Sequence, residues 1–168
     1  NKKRNINIIM LESFIDPRLI ANIKCDRLPI YEGMKEYLGE DMIFDMAISP
    51  IIGGHTAQSL FEVLSGVPAM GRIESTEFNA LDGNKIYSFV NALKENGYKT
   101  VATIGIEYNF YNYYLAHKSL GFDEIHFLDK SKIISIRNGD ALIFDGDLLQ
   151  GTQNYINNKY ISNGIPVI

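Results

Sequence analysis

Asn7-Ile8-Ile9-Met10-Leu11-Glu12-Ser13-Phe14 is an almost unbroken apolar run that ends in a carboxylate. From Ile6 to Leu11 the composition predicts a central parallel strand buried on both faces. Ligands of parallel α/β sheets sit beyond the carboxyl ends of the strands, and Glu12 falls at such an end. An isolated carboxylate there is costly unless it is paired, hydrogen-bonded or coordinated. Two readings of Glu12 are open: a metal ligand, or a structural hydrogen bond to a loop or helix N-terminus.

The second telling stretch is Gly53-Gly54-His55-Thr56-Ala57, a glycine turn that presents a hydroxyl at a helix start. A strand-end carboxylate and a helix-start hydroxyl can share one divalent metal. Thr56 reads either as a plain N-cap or as a nucleophile. The helix dipole and unpaired N–H groups stabilise an alkoxide or a phosphate, and a metal lowers the hydroxyl's pKa further. Gly53 and Gly54 would let a phosphorylated substrate approach the backbone. Ser59, one turn on, is the fallback nucleophile. His55 is a polar surface residue, a substrate contact or a metal-site member. Gln58 is either solvated or in contact with substrate.

Around these stretches, strands and helices alternate. Helices are predicted over Tyr31 to Leu38, Ala57 to Leu64 (closed by Gly66 and Pro68), Lys85 to Glu95, Asn109 to Leu120 and Leu148 to Tyr160. Strands are predicted over Phe44 to Ile48, Lys99 to Ile106 and Glu124 to Leu128, with Pro50 to Gly54 a loop and Arg72 to Gly83 irregular. Asp140 to Phe144 is a short strand or a helix start, and Asp140, Asp145 and Asp147 there cap a helix or bind a cation. The alternation predicts a three-layer α/β fold with a mostly parallel central sheet flanked by helices. The closing Gly164-Ile165-Pro166-Val167-Ile168 reads as the beginning of another buried strand, which predicts a fold incomplete at the C-terminus.

With 168 residues, 46% hydrophobic and 21% charged, the chain suits one soluble domain. A net charge of −4 gives no nucleic-acid surface. The basic Asn1-Lys2-Lys3-Arg4 reads as a solvated end or a membrane-proximal linker. Cys25 is the sole cysteine, so no internal disulfide forms. No apolar run of about 18 residues and no signal peptide is visible, and the lack of an initial methionine predicts sequence upstream. Tyr108-Asn109-Phe110-Tyr111-Asn112-Tyr113-Tyr114 is an aromatic stretch that serves either core packing or as a wall for a glycerol, sugar or lipid headgroup. His117 and His126 form no metal motif. There is no glycine-rich nucleotide motif, zinc-type cysteine pair or Ser-His-Asp order.

At these residues the chain resembles the sulfatase-like, alkaline-phosphatase-type superfamily, closest to its lipoteichoic acid synthase and phosphoglycerol transferase branch. Ile8-Ile9-Met10-Leu11-Glu12-Ser13-Phe14 resembles the first metal-ligand strand. Gly53-Gly54-His55-Thr56, followed by Ser65-Gly66-Val67-Pro68, resembles the nucleophile loop and its helix. Gly97-Tyr98-Lys99-Thr100 and Leu120-Gly121-Phe122-Asp123-Glu124 resemble the next strand–helix–strand unit. The resemblance implies that residues 1–168 are the N-terminal portion of one catalytic domain. Glu12 would be a metal ligand, and Thr56 a metal-bound nucleophile that forms a phospho-threonine intermediate. The metal would be manganese, with zinc the alternative. His55, Tyr111 and Tyr113 would lie at the substrate site. Where lipoteichoic acid synthases place a histidine, a tryptophan and an arginine around the headgroup, this chain has Ile104, Tyr111 and Tyr113. The family's Asp-His pair and further substrate-site histidine would lie beyond Ile168. A threonine also cannot become the formylglycine of sulfatases proper.

The implied function is transfer of a phosphoglycerol-type or related headgroup to a cell-envelope glycan or glycolipid. The implied partner is a lipid-linked or glycan substrate. The implied location is the extracytoplasmic face of the membrane, anchored by spans preceding Asn1. The alternatives are a phosphate or sulfate ester hydrolase on the same scaffold, and a non-catalytic binding or structural module with an incomplete metal site.

Overall fold

The computed structural model describes residues 3–12, 17, 20–26, 39, 43, 48–49, 55–70, 76–131, 133 and 143–168. The chain divides into two compact units, one of Asn1–Ile8 with Pro50–Ile168 and one of Ile9–Ser49. In the larger unit the order is α1 (Thr56–Ser65), α2 (Thr76–Ala80), α3 (Phe89–Glu95), β1 (Val101–Ile104), α4 (Tyr113–Leu120), β2 (Glu124–Phe127) and α5 (Asp145–Lys159), then a 3-10 turn at Ile161–Asn163.

β1 and β2 pair in parallel, with Val101 opposite Glu124 and Ile104 opposite Phe127. On its other side β1 is extended by the last residues of the chain. Lys99 and Val167 form a parallel bridge, and Ile168 N–H donates to the Lys99 carbonyl at 2.9 Å. Val167 and Ile168 are buried, as the apolar ending predicts. Side chains alternate across a strand, so Thr103, Glu124 and His126 share one face and Ala102, Ile125 and Phe127 the other. The first face carries α5, through Thr152 Oγ1 to Thr103 Oγ1 at 3.0 Å. The second meets α4 through Tyr108, whose ring lies 5.4 Å from Phe127 and 5.0 Å from Tyr114. Helices thus flank a small parallel sheet, and the α/β expectation holds.

The main core forms where α1 to α4 converge. Leu64, Phe78, Val90, Ala116 and Leu120 are buried together, and Ala57, Leu60 and Phe61 pack against them. In α1 the apolar positions 57, 60, 61 and 64 fall at helical spacing, which is why this segment coils and which face it buries. Gly66, in the left-handed region at φ 71°, ends it.

Several boundaries differ from the sequence reading. The helix expected from Lys85 starts at Phe89, because the Ser88 side chain accepts the Asn91 N–H at 2.9 Å and the Asn91 amide holds the Ile86 carbonyl at 2.8 Å. The helix expected from Asn109 starts at Tyr113, after Tyr111 adopts φ 45°. Arg72 to Gly83 contains α2 rather than being irregular throughout.

Ile6 to Leu11 is not a strand, and Ile8 to Leu11 are exposed. A central strand needs a ladder along its length. Here Ile6 N–H donates to the Val167 carbonyl at 3.0 Å, and Asn5 Oδ1 accepts the Val167 N–H at 3.1 Å. No further strand pairing follows among residues 7–12. The expected helix Tyr31 to Leu38 lies outside the described residues, as does all but Ile48 of the expected strand Phe44 to Ile48.

Candidate functional site

Thr56 is the first residue of α1, and His55 before it has φ −99° and ψ 47°. The Gln58 N–H donates to the His55 carbonyl at 2.9 Å, closing the first turn. That turn carries no acidic residue, so no side chain of its own offsets the positive end of the helix dipole. Thr56, His55 and Ser59 are all half-buried. Gly53 and Gly54 lie outside the described residues.

Gln58 is neither solvated nor available to a substrate. It is buried, and its Nε2 donates to Glu77 Oε2 at 3.0 Å. The other oxygen of Glu77 accepts the Met70 N–H. The pair fixes the start of α1 to α2 and to the chain that leaves α1, so Thr56 stands on a braced helix end.

Glu12 is an exposed turn residue in the smaller unit, whereas Thr56 belongs to the larger one. Among the described residues, no group of three or more His, Cys, Asp or Glu side chains is gathered to hold a metal. A divalent ion takes four or more donors. The carboxylate and hydroxyl named from the sequence, taken alone, fall short of that set.

The aromatic stretch divides between core and surface. Tyr113 is half-buried, with its ring 5.1 Å from Phe78 and stacked 5.7 Å from His117. Tyr111 projects from the loop, 67% exposed, edge-on to Phe110 at 4.6 Å. His117 is buried behind them. Burial pushes its pKa down to about 4, against the opposing hydrogen bond between Nδ1 and the Tyr113 carbonyl, so the imidazole is neutral near pH 7.

A second polar cluster was not foreseen. Glu124 Oε1 accepts Lys159 Nζ at 2.8 Å and the Tyr160 hydroxyl. Its Oε2 accepts the Tyr155 hydroxyl and lies 3.2 Å from His126 Nε2. Ser131 Oγ lies 3.1 Å from His126 Nδ1. Burial alone would raise the Glu124 carboxyl, but the donors on Lys159, Tyr155, Tyr160 and His126 outweigh it and hold the pKa at about 2. Burial and the same carboxylate push Tyr160 up to about 12. The cluster clasps α5 to the sheet. Its only trace in the sequence is local: Glu124 and His126 two apart on a strand, and Tyr155 and Lys159 four apart on a helix. Asp145 and Asp147 sit in the first turn of α5, where their charge suits the dipole; Asp140 lies outside the described residues.

No protein-family model matches this chain, and no curated protein does. Among solved structures, the lipoteichoic acid synthase LtaP from Listeria monocytogenes matches with a TM-score of 0.60 and 18% identity, over 71% of this chain and 28% of that one. The chain shares the fold of LtaP. The resemblance drawn from the sequence thus stands at the level of fold. This chain corresponds to little more than a quarter of LtaP, and at this identity the likeness carries the fold alone.

Proposed function

We propose that this chain is part of a sulfatase-like phosphotransferase in which Thr56 is the nucleophile. The observation that carries the reading is a hydroxyl on the first residue of α1, within a fold shared with a lipoteichoic acid synthase. In the first step Thr56 Oγ attacks the donor's phosphorus. A threonine–phosphate ester forms, the bond to the donor's alkoxide breaks, and that oxygen leaves with a proton. The Thr56 proton passes to a base or to solvent. In the second step an acceptor hydroxyl attacks the phosphorus and gives up its proton to a base or to solvent, the bond from phosphorus to Thr56 Oγ breaks, and Thr56 takes up a proton to regain its hydroxyl. The N–H groups at the start of α1 favour the negative oxygens in both steps.

The transferred group is a phosphoglycerol-type or related headgroup, and the partner is a lipid-linked or glycan substrate. His55, Tyr111 and Tyr113 are proposed on the substrate side. A divalent ion, manganese first and zinc second, belongs to the proposal through the family resemblance. Glu12 and Thr56 are the donors this chain would contribute, and the ion's chemistry would be charge neutralisation at phosphorus. An extracytoplasmic location belongs to the same reading. Among the described residues no helix is long and apolar enough to cross a membrane.

The test is to incubate the full-length protein with manganese and a phosphoglycerol-bearing lipid, quench, and map phosphorylation by mass spectrometry. The expected result is a phosphoglycerol ester on Thr56 and its loss, with turnover, in Thr56→Ala. The same adduct on Ser59, or full turnover in Thr56→Ala, overturns the assignment. Turnover that needs no acceptor but water favours the hydrolase.

A further inference from the structure

A turn at the end of β2 folds one hydroxyl back over the strand it has just left. The Lys130 and Ser131 N–H groups both donate to the Phe127 carbonyl, at 3.2 and 2.9 Å. Ser131 thereby returns to His126, five residues earlier, and its Oγ lies 3.1 Å from Nδ1 of the ring. The other ring nitrogen, Nε2, lies 3.2 Å from Glu124 Oε2. A hydroxyl, an imidazole and a carboxylate thus stand in one line.

The proton positions in that line follow from the carboxylate. Against the effect of burial, the hydrogen-bond donors around Glu124, Lys159 first, hold its pKa at about 2, so it is charged across the neutral range. An ionised carboxylate only accepts hydrogen bonds. The neutral His126 ring must therefore carry its proton on Nε2 and donate it to Glu124. Nδ1 is left with a bare lone pair. The Ser131 contact then runs one way: the O–H donates and Nδ1 accepts. The Ile133 N–H donates to the same Ser131 oxygen at 3.2 Å, and Oγ keeps a second lone pair for attack.

The base is held in that pose from α5. The Tyr155 ring meets His126 edge-on at 5.0 Å, while Tyr155, Tyr160 and Lys159 pin the carboxylate. The His126 and Glu124 side chains are 20% and 22% exposed, sheltered from water but not sealed from it. Ser131 is half-buried. Other serines are spent differently. Ser88 Oγ donates to the Leu120 carbonyl and Ser162 Oγ to the Asn158 carbonyl. A carbonyl orients a hydroxyl but takes no proton from it.

A nucleophile that touches a base, with the base touching an orienting acid, is what nucleophilic catalysis requires. Such a set is recognised by geometry and roles, not by position in the chain. Ser131 also follows the carboxyl end of β2, the side of a parallel sheet where ligands gather.

We propose that Ser131 is a base-activated nucleophile that takes an acyl group from a carboxylic ester, with His126 as its base and Glu124 as the positioning residue. Oγ bonds to the carbonyl carbon while its proton passes to His126 Nδ1. The bond from that carbon to the ester oxygen breaks, and His126 gives the proton to the departing oxygen. An acyl-serine and a free alcohol result, and the ring is neutral again. Thr56 takes no part, so this chemistry and the phosphotransferase reading stand or fall separately.

The test exposes the full chain briefly to p-nitrophenyl acetate at neutral pH and maps acetyl groups by mass spectrometry. Ser162, exposed and turned to a carbonyl, is the internal comparison. Ser131 is expected to be acetylated at least about tenfold faster, a modest share of the 10²–10⁴-fold that a placed general base supplies. His126→Gln can hydrogen-bond but cannot take the proton, and should bring Ser131 down to the Ser162 rate. NMR of the ring nitrogens reads the wild type without any variant: neutral His126 is expected with its proton on Nε2. In Glu124→Gln the ring should populate both tautomers, because an amide offers a donor as well as an acceptor. Acetylation of Ser131 no faster than of Ser162 overturns the nucleophile, as does an unchanged rate in His126→Gln. A neutral wild-type ring protonated on Nδ1 overturns it even if His126→Gln fails to fold. A ring that stays wholly Nε2-protonated in Glu124→Gln removes Glu124 from the positioning role.

Discussion

Replacing Glu124 by glutamine tests whether the clasp on α5 is electrostatic. The carboxylate receives Lys159 and Tyr160 on one oxygen and Tyr155 and His126 on the other. Its pKa of about 2, against 4.5 when unperturbed, corresponds to a ceiling of about 3 kcal/mol. Lys159 is about half exposed, and solvent screening brings the expected figure to about 1–2 kcal/mol. A carboxyl depressed on folding stabilises fully above its unfolded pKa, and that stability drains away as pH falls through the folded value. The wild type should therefore exceed Glu124→Gln by about 1–2 kcal/mol at pH 7, and the gap should narrow between pH 4.5 and about 2. Urea titrations across that range measure it, with the slope m unchanged if only the folded state is affected. A gap that does not vary with pH would show that shape, not charge, holds the helix. No gap at pH 7 would show that the clasp contributes nothing to stability.

Phe78→Ala should cost about 3–5 kcal/mol in urea unfolding, since Phe78 lies at the centre of the buried cluster. Gly151→Ala should cost about 1–3 kcal/mol or shift α5, because the new Cβ would lie 2.3 Å from the Ile133 carbonyl oxygen; a thermal midpoint equal to wild type would refute that close approach. His117, with its pKa lowered from 6.5 to about 4, binds a proton more readily unfolded than folded. Stability should thus decline as pH falls from about 6.5 towards 4, and His117→Leu should flatten that slope; an NMR titration midpoint near 6.5 in the folded protein would contradict the burial. Thr56→Ala should change stability by less than about 1 kcal/mol while ending turnover of the full-length protein, and a variant that unfolds would make Thr56 structural.

The strands at residues 101 and 124 and the glycine stops at Gly66 and Gly121 were legible because they rest on local chemistry: β-branched runs, and a turn that glycine completes cheaply. Val167 and Ile168 were legible for the same reason. The start of α3 was not, since helical spacing continues back to Ile86 and only the Ser88 cap, set by its contact with the Leu120 carbonyl, overrides it. Ile6 to Leu11 misled because composition reports a taste for burial but not the neighbours that provide it. Thr56 at a helix start was readable from the glycines and the apolar period behind it. Gln58 was not, because its buried partner Glu77 is 19 residues away.

The pairing of Lys99 with Val167 and of Ile6 with the same residue has a consequence for synthesis. The Val167 N–H meets an Asn5 side chain 162 positions upstream. On the ribosome, α1 to α4 can gather around Phe78 as soon as Leu120 has emerged, but the outer side of β1 waits for Val167 to clear the exit tunnel. Until then β1 keeps an open edge beside a formed helical core, and loops of that length close slowly. A nascent chain arrested before Pro166 should therefore be the species on which a chaperone, or another exposed strand, finds its opening.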